Sequence, residues 1–367
     1  MIGEMERMNW KTGLCIVLLA GMTLAACKQS EEKVAAESKP LTEETANGIF
    51  PYKRLSTYGF FEGEMKALDP TGQVTLYKPA SSLFTDYAFK SRFVSIPAGQ
   101  KAQITESNIE FPVGSILIKN FYYHSDFRNP EGERRIIETR LLIREENGWQ
   151  AYPYLWNDEQ SEAILKVVGA ETEVKFIDHA GKDQVINYIV PNKNQCKSCH
   201  NQSEVLAPIG VKIQHLNNDL NYGTVTQNQL SHWTSLNFLE GFKGAEFYPS
   251  MINYEDKNQA LEDRAMAYLD INCAHCHSAG GPASTSGLFL TFDQTDLLKI
   301  GINKTPVAAG KGAGSFTFDI VPGKPDESIV THRIKSTEVG VAMPELGRTT
   351  VHQEGVELIR AWIMGMK

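Results

Sequence analysis

The sequence lacks three features that define common protein classes. It has no dense basic run, and its 36 basic and 44 acidic side chains give a net charge of −8, so nucleic acid is not an expected partner. It has no apolar run of the roughly 20 residues that a membrane-spanning helix needs. None of its six cysteines is left for a disulfide framework, because two lie near the N-terminus and four in a repeated motif. The 367 residues, 42% of them hydrophobic, suit a globular protein of two or three domains.

The N-terminus has the pattern of an export signal. A short polar stretch containing Lys11 precedes an apolar run that ends in small residues before Cys27, which predicts a signal peptide over residues 1–26. The ending Leu-Ala-Ala-Cys resembles a bacterial lipobox, which implies lipidation of Cys27. Lys28 follows that cysteine in place of aspartate, which favours the outer membrane. Residues 27–48 are polar and predict a flexible tether between the membrane and a folded body in the periplasm.

The motif Cys-x-x-Cys-His occurs twice, as Cys196, Cys199 and His200 and again as Cys273, Cys276 and His277. Two thiols spaced i, i+3 reach the two vinyl groups on one edge of a haem, and the next histidine then lies under the iron. The motifs therefore predict two covalently attached haem c groups, with His200 and His277 as iron ligands. A Cys₄ zinc site and a redox dithiol remain as alternatives, although neither needs a histidine directly after each pair.

Two amphipathic helices are predicted around the second motif. The stretch NQALEDRAMAYLDIN before Cys273 is rich in helix formers and has apolar residues at i, i+4 and i+8. At the C-terminus, Thr350 and Gln353 have the spacing of a capping box at the start of a second apolar-faced helix. Between the two helices Met343 precedes Pro344. Its thioether is a suitable sixth ligand for haem iron, and the alternative is an ordinary core methionine.

In this arrangement residues 255–367 resemble a class I cytochrome c domain. The resemblance implies that Cys273 and Cys276 form the thioether bonds, that His277 is the proximal ligand and that Met343 is the distal ligand. The stretch RAMAYLDINCAHCHSAGGPA is also similar to uncharacterised bacterial exported proteins that carry paired Cys-x-x-Cys-His motifs.

The first motif has a different context. A predicted strand, QVINYIV, is closed by Pro191 just before it, so residues 191–254 are expected to form a separate module for the first haem. No Met-Pro pair follows within that module, and the distal ligand stays open between three residues. The candidates are His215, His232 and Met251. We expect His215, because a haem usually takes a ligand from its own module.

Residues 49–190 are predicted to be a β domain. Short segments rich in β-branched and aromatic residues are separated by turn residues at regular intervals, which indicates an antiparallel barrel or sandwich. The expected fold class is therefore α+β and multidomain, with an N-terminal antiparallel β domain followed by a mainly α-helical cytochrome c-type haem domain. The predicted strands are QVTLYK, FVSIPAG, KAQITE, GSILIKNFYY, RRIIETRLLIREE, WQAYPYLW, EVKFID and QVINYIV.

Within this β region the stretch FPVGSILIKNFYY resembles cytochrome P460-type proteins, in which a haem on a β scaffold lies close to a lysine. Lys119 is the matching lysine, and the alternative is an outward-facing lysine on an amphipathic strand. A set of aromatic residues is expected to form a core first and a wall against a haem second. The set is Phe121, Tyr122, Tyr123, Trp149, Tyr152, Tyr154 and Trp156.

These observations predict a membrane-anchored dihaem c-type cytochrome that transfers single electrons to or from a redox partner protein. Methionine ligation would give the second haem the higher potential. Two other classes stay open. One is an oxidase or peroxidase with an open first haem and the second haem as its relay. The other is a redox-sensing or binding lipoprotein.

Overall fold

The computed structural model describes residues 50–105 and 108–367. The predicted signal peptide, the lipidation site at Cys27 and the tether lie outside the described residues. Residues Pro51–Lys367 group into one unit by their contacts. Within the described ranges, no helix is both long enough and apolar enough to cross a membrane.

Seventeen strands occur in the described part of the chain, and most of them come before the first Cys-x-x-Cys-His motif. In chain order they are β1 (Phe61–Glu62), β2 (Asp69–Pro70), β3 (Val74–Tyr77), β4 (Phe89–Ser95), β5 (Ala102–Thr105), β6 (Asn108–Glu110), β7 (Ile116–His124), β8 (Arg134–Glu145), β9 (Gly148–Trp156), β10 (Ala163–Leu165), β11 (Ala170–Ile177), β12 (Asp183–Val190), β13 (Asn201–Gln202), β14 (Val205–Leu206), β15 (Asp219–Asn221), β16 (Thr226–Asn228) and β17 (Leu239–Glu240).

The largest sheet has six antiparallel strands in the order β10-β9-β8-β7-β4-β3. Strands β11 and β12 form a separate antiparallel hairpin, and β17 pairs in parallel with β5, which also pairs with β6. All eight predicted strands are confirmed. The expectation of a barrel is wrong, because none of the described sheets closes on itself. The chain is β-rich with several sheets and some helices.

Both faces of the six-stranded sheet are largely buried, which explains the apolar character of its strands. One face packs Phe93, Ile118 and Leu141 into a core with the segment around Leu55. The other face carries two apolar clusters, one around Leu117 and one around Phe121 and Tyr123. The predicted aromatic core is confirmed, since each of its seven residues is buried or packs against one of these clusters.

Seven α-helices lie in the described part of the chain after β12. The helix predicted before Cys273 is confirmed, and it continues as a turn of π-helix over Asp270–Ala274. The closing helix is confirmed too, with its apolar face buried. The helices are α1 (Lys193–Cys199), α2 (Ile213–Leu216), α3 (Gln229–Ser235), α4 (Leu261–Leu269), α5 (Leu297–Ile300), α6 (Ile329–Ile334) and α7 (Gln353–Gly365).

The capping box predicted at Thr350 and Gln353 is wrong. His352 is the N-cap residue of α7 and makes no side-chain cap bond. The Thr350 hydroxyl donates instead to Asp86 Oδ1 at 2.8 Å. Thr350 bonds the Asp86 carboxylate instead of capping the helix, because the loop before α7 packs against the segment between β3 and β4.

Helices α4 and α7 form the core of the C-terminal part, to which α4 contributes Leu269 and α7 contributes Ile359 and Trp362. The two helices approach closely at Gly355. A Cβ at that position would lie 2.3 Å from Tyr268 Oη on α4, so only glycine fits there. This packing fixes the direction in which α4 runs into the second motif.

Candidate functional site

The first motif lies on helix α1, which begins directly after β12. Asn192 and Gln195 form a capping box, in which each side chain bonds the other residue's backbone N–H at 2.9 Å. Cys196 and Cys199 are therefore one helical turn apart and share a face of α1. This helix was not predicted from the sequence, although the Asn-x-x-Gln spacing could have revealed it.

The second motif is held by the π-helical turn that continues α4. The backbone N–H groups of Cys276 and His277 both donate to the carbonyl of Cys273, at 3.1 and 2.8 Å. The turn then closes against Gly281, where a Cβ would lie 2.2 Å from the carbonyl oxygen of Cys276. None of the four motif cysteines is in a disulfide.

Both motif histidines have the same hydrogen-bonding arrangement. His200 Nδ1 lies 2.9 Å from the carbonyl oxygen of Ala207, which can only accept, so Nδ1 carries the proton. His277 Nδ1 lies 3.2 Å from Ser286 Oγ, whose own proton goes to the carbonyl of Ala283 at 2.7 Å. In each imidazole Nε2 is therefore left with a free lone pair. Metal-ligating histidines are oriented in this way by a partner on the other ring nitrogen.

The pKa shifts of these groups agree with neutral imidazoles and uncharged thiols. Burial lowers the pKa of His200 to about 3 and that of His277 to about 4. Burial raises the pKa of Cys273 and Cys276 to about 12. An attacking redox thiol needs a lowered pKa, so the electrostatics of this site do not favour the dithiol alternative.

Each motif lines a cavity, and the two cavities share a wall. The first, of about 200 Å³, is lined by Cys196, Cys199 and His200. The second, of about 380 Å³, is lined by Cys276 and His277. Both cavities are bounded by the same group of residues, which brings the two motifs together in space. The group includes Cys199, Cys273, His275, Ile334, Met343 and Pro344.

Met343 belongs to that shared wall, and its backbone is held on both sides. Its N–H donates to the carbonyl of Arg333 at 3.1 Å, and its carbonyl accepts from Arg348 Nη2 at 2.8 Å. Met343 lines the cavity that also contains His277. A position in a cavity wall agrees with the predicted role of Met343 as an iron ligand better than with the alternative of a core methionine.

His215, the expected distal ligand of the first haem, is not among the residues that line the first cavity. It is 1% exposed in the short helix α2, and its Nε2 lies 3.0 Å from Asp270 Oδ1. The nitrogen that most often binds iron is thus already donating to a carboxylate. Ligation of the first haem by His215 stays a prediction and would require this bond to break.

The two other candidates for the distal ligand also have other contacts in the fold. His232 bonds Gln227 through Nδ1 at 2.6 Å and Thr75 through Nε2 at 3.1 Å. Its ring also stacks on Tyr222. Met251 is 2% exposed and packs in the core that contains α4 and α7. Neither residue lines the first cavity.

Lys119 does line the first cavity, together with Arg140 from the neighbouring strand. The outward-facing alternative for this lysine is wrong, because its side chain is partly buried against Phe121. Two imidazoles that sequence reasoning missed line the same cavity. His275 has a buried Nδ1 with no hydrogen-bond partner among the described residues, and His352 stacks on Phe84.

Comparisons with protein families, with curated proteins and with solved structures found no match to this chain.

The Met343→Ala variant should lose the weak far-red absorption band that ferric haem with histidine and methionine ligands shows. The reason is that alanine removes the only thioether side chain that lines the second cavity within the described part of the chain. An absorption spectrum of the oxidised mature protein tests this, with Met251→Ala as the matched control. A band that survives in Met343→Ala and disappears in Met251→Ala would overturn the assignment.

Proposed function

We propose that this protein is a membrane-anchored dihaem c-type cytochrome that transfers single electrons in the periplasm. Cys27 would be the lipid anchor, and a redox partner protein would deliver or accept the electrons. The observation that supports it most directly is the matched state of His200 and His277, each with Nδ1 bonded to an oxygen and Nε2 open.

The residues of both cavities suit covalently bound haem. Each cavity offers two thiols one turn apart and one imidazole with an available lone pair. The second cavity adds apolar walls from Leu288, Leu290 and Ile329, which would cover a porphyrin face. Haem iron, when bound, supplies a one-electron redox couple. The role of the protein is then to fix the ligands, exclude water and set the potential.

The shared wall supports transfer between the two sites. Cys199 of the first motif lines both cavities, and after burial it is the next cause of the raised pKa of Cys276, so the two motifs lie close together. Two redox groups bound here would be neighbours. An electron could pass between them within the protein and would rest at the methionine-ligated group, whose potential is higher.

The resemblance of residues 255–367 to a class I cytochrome c domain is part of the proposal. It is supported by the packing of α4 against α7 and by the Met343 loop between them. The separate boundaries at 49–190 and 191–254 stay predictions.

A haem enzyme is the second candidate, and specific contacts favour it. His215 and His232 already use the ring nitrogens described above, and Met251 is buried elsewhere. A first haem without a sixth protein ligand would then be held in the cavity that Lys119 lines. Against this, His275 lines the first cavity with an unpartnered buried nitrogen, so it offers a sixth ligand that a carrier would need.

An EPR spectrum of the ferric protein with and without cyanide distinguishes the two candidates. We expect two low-spin signals that change little with cyanide, because a filled sixth position must first lose a protein ligand. His275→Ala should convert one signal to high-spin, whereas His179→Ala, which changes a histidine outside both cavities, should not. A high-spin signal in the unmutated protein that disappears on adding cyanide would favour the enzyme.

A further inference from the structure

Three cationic residues stand in a row across the centre of the six-stranded sheet. Arg92 on β4 is directly opposite Lys119 on β7, and Lys119 is directly opposite Arg140 on β8. Directly opposed residues of antiparallel strands project from the same face, and like charges in that position repel each other. Lys90 adds a fourth cation on the same face, two residues before Arg92.

This row lies between the two apolar clusters of that face. Leu117 and Phe121 flank Lys119 at i−2 and i+2 and belong to one cluster each. Lys119 Nζ lies 4.8 Å from the centroid of the Phe121 ring, and Arg140 Cζ lies 4.3 Å from it. The ring offers each cation only a partial negative charge, which does not neutralise several positive ones.

The two nearby carboxylates, Glu138 and Asp86, already accept hydrogen bonds, although Glu138 Oε2 has no partner among the described residues. Glu138, fully buried, accepts from Arg140 and from the Tyr188 hydroxyl. The Asp86 carboxylate accepts from the backbone and hydroxyl groups of Thr349 and Thr350. One local carboxylate is therefore paired with one of the four cations.

Arg92 and Lys119 have no ion pair and no side-chain hydrogen bond among the described residues. Arg92 is nevertheless only 5% exposed. Burial, followed by the neighbouring cations, lowers the pKa of Lys119 well below its ordinary value. Uncompensated buried charge of this kind is costly, and natural proteins normally pair it.

Of the unpaired cations, Lys119 lines the first cavity, together with the paired Arg140 and with Cys196, Cys199 and His200. We propose that Lys119 and Arg140, with Arg92 behind them, form a binding site for a carboxylate or similar oxyanion beside the first motif. An arginine and a lysine are the usual partners of such groups.

The anion has two possible sources. One is the pair of propionate groups on a haem attached to Cys196 and Cys199, and this source rests on the proposed function. The other is a free oxyanion that reaches the same cavity as a ligand or substrate. The site chemistry is shared, and the test separates the sources.

The test compares Lys119→Met with Lys175→Met, an exposed lysine on β11, in the full mature protein made with haem attachment. The midpoint potential of each haem is measured at constant ionic strength, in chloride and in sulfate. The first haem is identified as the one lost in the Cys196→Ala, Cys199→Ala variant. Lys119→Arg keeps the charge and should behave as the unmutated protein.

If the anion is a haem propionate, Lys119→Met lowers the potential of the first haem, because the negative group loses its counter-charge, and sulfate has no effect. If the anion is free, sulfate lowers that potential saturably in the unmutated protein, and Lys119→Met weakens this dependence at least tenfold. The proposal is overturned if Lys119→Met matches Lys175→Met in both measurements.

A second readout separates failure of this site from failure of the proposed function. If no haem is attached, the urea midpoint is measured against sulfate concentration in the same variants. A bound anion stabilises the folded state by mass action. Sulfate should therefore raise the midpoint more in the unmutated protein than in Lys119→Met, while its general stabilising effect is common to both. If sulfate raised the urea midpoint equally in the unmutated protein and in Lys119→Met, that result alone would overturn the proposed anion site.

Discussion

Replacing both Cys196 and Cys199 with alanine should reduce the covalent haem content from two per chain to one. Replacing Cys273 and Cys276 should remove the other. Each pair lies one turn apart beside an imidazole whose Nε2 is open, and a thioether cannot form without the thiol. The two removals should be independent, because each cavity has its own histidine.

Pyridine haemochrome absorbance per chain measures this in protein matured by haem-attachment machinery. Ser198→Ala is the matched control. Ser198 is exposed and lies between the two thiols of the first motif, but it offers no group for the attachment chemistry. The haem content of the Ser198→Ala variant should stay at two per chain. One zinc ion and no haem in properly matured protein would contradict the proposal and return the four cysteines to the zinc alternative.

The strands and the two bracketing helices could be predicted because their signals are local. The β-branched and aromatic content of β7 and the i, i+4 spacing in α4 depend only on neighbours along the chain. The capping box at Thr350 was a local signal that failed. Asp86, distant in sequence, accepts from both the hydroxyl and the backbone N–H of Thr350 through Oδ1, and this tertiary contact outweighed the cap.

The site was predictable in its residue types but not in its surroundings. Cys-x-x-Cys-His marks the four thiols and two imidazoles in the sequence alone. The partners of His215 and His232, by contrast, come from distant segments. Sequence reasoning therefore could not see that these nitrogens were already in use.

The orientation of Lys119 depends on strand register, which cannot be read from the sequence alone. A lysine on an alternating strand usually faces solvent. Here both faces of the sheet are covered, and the register places Arg92 and Arg140 on either side of it. A cationic row of this kind is visible only after β4, β7 and β8 are aligned.

Glu138→Gln should lower the free energy of unfolding by about 3–5 kcal/mol, the cost of leaving one partner of a buried ion pair uncompensated. Glu138 is fully buried and is the carboxylate that accepts from Arg140 and from Tyr188. Glutamine keeps the shape and an acceptor oxygen but removes the charge. Urea unfolding measures the loss, and Glu110→Gln, at an exposed strand position, should change stability by less than about 0.5 kcal/mol.

The cause can be separated from simple loss of packing by a second substitution. Adding Arg140→Met to Glu138→Gln removes the cation that was left without its counter-charge, so part of the lost stability should return. If the stability losses of the two substitutions simply add in the double variant, the cost of Glu138→Gln lies in packing. A single-variant loss below about 1 kcal/mol, the range of exposed ion pairs, would mean that Glu138 is not the charge that stabilises the cationic row.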